Sequence, residues 1–142
     1  MRHRHVMPLA AAATFSLAAA CGGPEPPPPV PEPLIGAWLM ITERGNAFSY
    51  DLLADGRYRY NAIMPDGSLR YTLQEAGGFS VSGTRVTFTP RTSILTRTDP
   101  KDPVEPSVRS TPRRPPRTYT WAVAGDVLTL TSPDGASRFR RE

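Results

Sequence analysis

Residues 48 to 73 read FSYDLLADGRYRYNAIMPDGSLRYTL, and their hydrophobic period is two. Phe48, Tyr50 and Leu52 alternate with Ser49 and Asp51. Tyr58, Tyr60 and Ala62 alternate with Arg57, Arg59 and Asn61, and Leu69, Tyr71 and Leu73 with Arg70, Thr72 and Gln74. Successive side chains of an extended chain point to opposite faces, so each run buries one face and leaves the other in water. The runs are separated by Ala54-Asp55-Gly56 and Pro65-Asp66-Gly67, and an Asp-Gly pair supplies the positive φ that a tight hairpin needs. The stretch therefore predicts three antiparallel strands joined by two hairpins.

The same pattern extends in both directions. Trp38 and Met40 lie on one side of an earlier run, with Ala37, Leu39 and Ile41 on the other. After Gly77-Gly78 come two short runs, Phe79 with Val81 and Val86 with Phe88, around Ser82-Gly83-Thr84. Further on stand Tyr119, Trp121 and Val123, then Leu128 and Leu130, then a run containing Phe139, divided by Gly125-Asp126 and Pro133-Asp134-Gly135. No ten-residue stretch from residue 34 onward keeps a helical i, i+3, i+4 spacing. The expectation is an all-β domain over residues 34–142, a small antiparallel meander barrel of about eight or nine strands, because closure buries one face and removes the exposed edges. Residues 91–117 interrupt the alternation with six prolines, seven basic residues and three acidic ones, and are expected to form a long basic loop.

The first 33 residues have a different composition. Arg2 and Arg4 precede an apolar stretch from Met7 to Ala20 that is too short to span a bilayer and has the make-up of a secretion signal. Leu17-Ala18-Ala19-Ala20-Cys21 follows, and it contains the chain's single cysteine. From Gly22 to Pro33 seven of twelve residues are proline, which favours an extended polyproline II tether reaching ~35 Å. The expected organisation is a signal over 1–20, Cys21 with a proline-rich linker to residue 33, and the barrel beyond.

Two resemblances rest on these residues. Leu17 to Cys21 resembles the lipobox of bacterial lipoproteins, which implies that Cys21 carries a diacylglyceryl thioether and an acylated amino group, anchoring the chain in the cell envelope. Gly22 stands where inner-membrane lipoproteins carry Asp, which favours the outer membrane, facing the periplasm. Gly36-Ala37-Trp38 resembles the Gly-x-Trp opening of lipocalins. Asp55-Gly56-x-Tyr58, Tyr119-x-Trp121, Leu128-x-Leu130 and the terminal Phe-Arg are similar to the lipocalin-like domains of envelope lipoproteins. That resemblance implies a cation–π contact on Trp38 from Arg140 or its neighbour Arg141.

Function is narrowed mainly by inventory. Both histidines, His3 and His5, lie in the signal, and a lipidated Cys21 offers no thiolate, so no imidazole base, triad or imidazole metal site is expected in the mature protein. No cofactor and no metal are expected, and enzymatic activity is not. The formal charge of +4 falls to 15 basic against 13 acidic residues once Arg2 and Arg4 are removed, which argues against nucleic-acid binding. Two readings stay open. In one, Trp38, Tyr58, Tyr60, Tyr71, Tyr119 and Trp121 line a cavity for a small apolar or amphipathic ligand or for a segment of an envelope partner. In the other, the same aromatics fill a solid core, and Arg109, Arg113, Arg114 and Arg117 of the basic loop contact anionic polymers or lipid headgroups at the cell surface.

Overall fold

Nine antiparallel strands follow a single 3-10 turn at Glu32–Leu34: β1 (Gly36–Ile41), β2 (Ala47–Leu52), β3 (Arg57–Asp66), β4 (Leu69–Ser82), β5 (Arg85–Thr98), β6 (Ser107–Ser110), β7 (Arg117–Ala124), β8 (Val127–Ser132) and β9 (Gly135–Arg141). They come from a computed structural model that describes residues 29–101, 107–112 and 114–142. The expected signal over 1–20, Cys21, the expected linker up to residue 28 and Arg113 lie outside the described residues. Strands β1 to β5 pair in chain order. The lower part of β5 then pairs with β7, the ladder continues through β8 and β9, and β9 returns to β1 at Trp38↔Arg141 and Leu39↔Arg140. The result is a closed eight-stranded barrel with one extra strand, β6, laid along the upper part of β5.

The hairpins form where the turn residues require them. Gly56 and Gly67 adopt φ of +82° and +60°, left-handed values open to glycine without a side-chain clash. Alternation then decides which face goes in. Tyr58 and Ala62 are buried while Arg57 and Arg59 of the same strand are exposed. The floor of the barrel is packed with Leu34, Trp38, Leu52, Val86, Phe88 and Leu128, each at most 1 % exposed. Burying a side chain of this size contributes about 1.5–3 kcal/mol, so this layer is the main stabilising block.

Two expectations are corrected. The strand signalled by Val86 and Phe88 does not stop at Pro90 but runs on to Thr98, so the first eight residues of the expected 91–117 loop belong to β5; Ser107–Ser110 form a further strand. The cause is a β-bulge. Ala76 pairs with Thr92 and Gly77 with Pro90, which leaves Arg91 without a partner and shifts the inward phase from Val86, Phe88 and Pro90 to Ser93 and Leu95. A proline in a sheet is tolerated at such a bulge. Gly77-Gly78, expected to separate two strands, lies inside the 14-residue β4 instead. Gly77 is there because a Cβ would run into the carbonyl oxygen of Thr89. Val30, in the expected linker, packs against the core.

Candidate functional site

The barrel's two ends differ. At the floor, the indole Nε1 of Trp38 donates to the Leu34 carbonyl at 2.9 Å, and the Arg141 guanidinium covers the Trp38 ring with its Cζ 4.2 Å from the centroid. Arg141 also donates to the carbonyls of Ile35 (2.9 Å) and Pro33 (3.1 Å), locking the last strand onto the residues that enter the first. Arg141 fills this role and Arg140 does not: Arg140 falls on the outward phase of β9 and is exposed. This end is a structural clasp.

The upper half is polar inside. Glu75 follows Leu69, Tyr71 and Leu73 in the same phase of β4, so the alternation that turns those side chains inward carries a carboxylate with them, to 2 % exposure. It is held from three directions. The Tyr58 hydroxyl donates to Oε1 at 2.8 Å. Arg117, at the first position of β7, donates through Nη2 to Oε1 at 2.7 Å and through Nη1 to Oε2 at 3.3 Å, and Arg114 Nη1 reaches Oε2 at 3.4 Å. A buried carboxylate is tolerable only with this degree of pairing. Burial pushes the Glu75 carboxyl upward, but the bonds from Arg117 and Tyr58 and the charges of both arginines outweigh it and hold the group below its usual range. Burial opposes the charge on Arg117 too, and the bond to Glu75 more than restores it. Burial raises Tyr50 and Tyr60 against the opposing charges of Arg117 and Arg114 respectively, and raises Tyr58 with help from Glu75. The phenols therefore stay protonated and act as neutral hydrogen-bonding groups.

Beside this cluster lies a cavity of about 280 Å³, lined by Met40, Phe48, Tyr50, Tyr60, Tyr119, Leu130, Ser137 and Phe139. It sits where the barrel wall loosens: β1 and β9 pair only up to Leu39↔Arg140, and Met40 and Phe139, next above, face the cavity. Arg117 borders it, with Cζ 5.7 Å from the Tyr60 ring centroid. The volume is at the lower edge of the roughly 300–1,000 Å³ of small-molecule pockets, and the lining of apolar walls with a few converging polar groups is of the same kind. A larger cleft of about 450 Å³ lies between Val30, Asp55, Phe79 and Arg91; the cavity at Tyr50 and Tyr60 is the better candidate because burial desolvates those two phenols and Arg117 stands against the Tyr60 ring.

The expected site residues are only partly gathered here. Tyr60 and Tyr119 line the cavity and Tyr58 supports it through Glu75. Trp38 belongs to the floor. Trp121 points inward but is tied by its Nε1 to the Gly83 carbonyl at 3.0 Å, near the opposite end, and Tyr71 pairs with Met64 and Arg97 beyond the barrel rim. The arginines of the expected anion-binding loop are separated: Arg109 is exposed on β6, while Arg114 and Arg117 turn in to Glu75. Tyr50, Glu75, Phe48 and Met40 were not anticipated as site residues. Among the described residues, no group of three or more His, Cys, Asp or Glu could hold a metal ion, and no helix is long and apolar enough to cross a membrane. Comparison with protein-family models, curated proteins and solved structures yields no match for this chain.

Proposed function

We propose that this protein is a lipid-anchored envelope lipoprotein whose lipocalin-like barrel is a non-catalytic binding module for a small apolar or amphipathic molecule. The observation that carries the binding reading is the cavity between Tyr50, Tyr60, Tyr119 and Phe139, which is lined by both apolar and polar side chains. The anchor rests on the sequence alone, on Cys21 after Leu17-Ala18-Ala19-Ala20 and on the proline-rich spacer that follows. Several acyl chains on one residue hold a chain to a bilayer almost permanently, at ~0.8 kcal/mol per buried CH₂. No nucleic acid and no cofactor enter this reading, and Glu75 is assigned to support, not to proton transfer, because both its oxygens are already committed to Arg117, Arg114 and Tyr58.

A second reading, a structural lipoprotein with a filled barrel, draws on the solid floor around Trp38 and Phe88. Native mass spectrometry separates the two: the binding module retains a stoichiometric adduct or takes up a small amphiphile, whereas a bare polypeptide mass under all additions favours the structural reading. For the anchor, Cys21→Ser is expected to move the protein from the membrane fraction to the soluble fraction; unchanged membrane association would remove that part of the proposal.

A further inference from the structure

The bulge in β5 also acts on the outer wall of the barrel. Arg91, which it leaves without a strand partner, is exposed and lays its guanidinium over β4: Nη2 is 3.7 Å from the position a Cβ on Gly78 would take. Bulges re-aim side chains in this way. Across the β3–β4 ladder Arg57 pairs with Gly78 and Arg59 with Ala76, and residues directly opposite each other share a face. Three arginines from two strands therefore meet on one part of the outer wall, above two small residues of β4. They border a groove of about 320 Å³ together with Leu53, Ala76 and Thr92, and Leu53 is itself 38 % exposed. Two acids stand near. Asp55 pairs with Arg57 at 2.6 Å, and Asp51 is opposite Arg59 in the β2–β3 ladder. Among the described residues neither Arg59 nor Arg91 is in an ion pair.

A second, independent feature is the route of the chain. Pro29 and Val30, the first described residues, line the neighbouring cleft, and Arg91 borders both that cleft and the groove. Cys21 precedes Pro29 by eight residues, and an extended proline-rich segment of that length reaches ~25 Å. An acyl anchor at Cys21 thus keeps this face near the bilayer. Attraction between arginines and anionic headgroups acts within about a Debye length, roughly 10 Å, and the short tether brings the face into that range.

We infer that the face formed by Arg57, Arg59, Arg91 and Leu53 docks on the anionic phospholipid headgroups of the bilayer that holds the anchor. The inference rests on the lipid-anchor reading and adds an orientation to it. A planar guanidinium offers paired N–H donors to a phosphate, and the exposed Leu53 side chain enters the headgroup layer between them. The loosened seam between β1 and β9 lies half-way round the ring from β4 and β5. Docking by the arginine face therefore turns the cavity at Tyr50 and Tyr60 away from the membrane.

The test uses the acylated protein inserted in vesicles of equal parts phosphatidylcholine and phosphatidylglycerol, with a spin-label quencher on the lipid headgroups. Once Cys21 is acylated an introduced cysteine is the only thiol, so Ser80→Cys, beside the groove, and Ser68→Cys, in the turn between β3 and β4 at the upper end, each take one fluorescent label. The label at position 80 is expected to be quenched about threefold more than the label at 68. That ratio should fall to its value on phosphatidylcholine vesicles in high salt, or in the Arg59→Gln/Arg91→Gln variant. Arg44→Gln/Arg70→Gln removes the same charge from the upper end and should leave it unchanged, and inorganic phosphate should act no more strongly than chloride at equal ionic strength. A ratio no higher on anionic vesicles than on phosphatidylcholine, the result if acids elsewhere in the chain already hold these arginines, overturns the docking face and leaves the anchor standing. So does a ratio untouched by Arg59→Gln/Arg91→Gln, an equal loss in Arg44→Gln/Arg70→Gln, or selective release by phosphate, which would mean a free-ion site. Recovery of the wild type away from the vesicles overturns the anchor, and this inference with it.

Discussion

Glu75 shows how a single residue sets the character of half the barrel. Its carboxyl is held below the usual value of ~4.3, so the stability it contributes is present above that pH and is lost as pH falls through the folded-state value. The wild type is therefore expected to lose stability as pH falls below the ordinary carboxylate range. Glu75→Gln cannot titrate, and its urea midpoint should change less between pH 5 and pH 3. At neutral pH the same variant strands the Arg117 guanidinium, and removing one partner of a buried pair costs about 3–5 kcal/mol; a urea midpoint equal to wild type would contradict the pairing described here. Arg141 is the second decisive residue. Replacing it with Ala removes the stack on Trp38 and two carbonyl bonds, a loss of about 1–3 kcal/mol. Arg140→Ala, on the outward face, should stay within about 0.5 kcal/mol of wild type, and thermal melts of the two variants separate these roles. Of these residues, Glu75 left a trace in the sequence: a carboxylate in phase with Leu69, Tyr71, Leu73 and Phe79 is out of place in an inward-facing row. Of its partners, Tyr58 was legible as an inward residue of the alternation, whereas Arg114 and Arg117 were singled out only as part of a basic segment expected to contact anions at the cell surface, and it is the fold that turns them inward to Glu75.

At the scale of elements, the short hairpins were legible and the long strands were not. Asp55-Gly56 and Asp66-Gly67 terminate β2 and β3 as their turn chemistry requires. Gly77-Gly78 carries the same composition as a turn yet continues β4, because β3 pairs with it without a break from Gly78 to Leu69. The two glycines make different demands on space. A Cβ on Gly77 collides with the Thr89 backbone, while on Gly78 its nearest neighbour is the Gly56 carbonyl oxygen at an ordinary 3.6 Å. Gly77→Ala is thus expected to cost about 1–3 kcal/mol and Gly78→Ala markedly less, as read by chemical denaturation; similar losses at both sites would mean that the bulge at Arg91 is not what makes the approach close. The upper part of β5 was hidden for the same reason, since a bulge shifts the two-residue period and Ser93 and Leu95 fall out of step with Val86 and Phe88.

At the scale of the whole molecule, closure depends on contacts between the chain's most distant described parts: Arg141 bonds to the carbonyl of Ile35, 106 residues earlier. Removing Arg138 to Glu142 deletes every β1–β9 pair, and that truncated chain is expected to lose cooperative thermal unfolding by circular dichroism; a sharp melt near the wild-type temperature would show that the barrel does not need this seam. Folding dominated by such non-local pairing should take milliseconds to seconds, measurable by stopped-flow tryptophan fluorescence. What the sequence by itself determined was the strand period, the positions of the tight turns and the inward face of most strands, because these follow from alternation and glycine φ within a few residues. Only the tertiary structure decided which arginine covers Trp38, where Arg114 and Arg117 point and which tyrosines share a cavity. Those outcomes depend on strand register and on the bulge at Arg91, and register is fixed by pairing between segments that no local pattern connects.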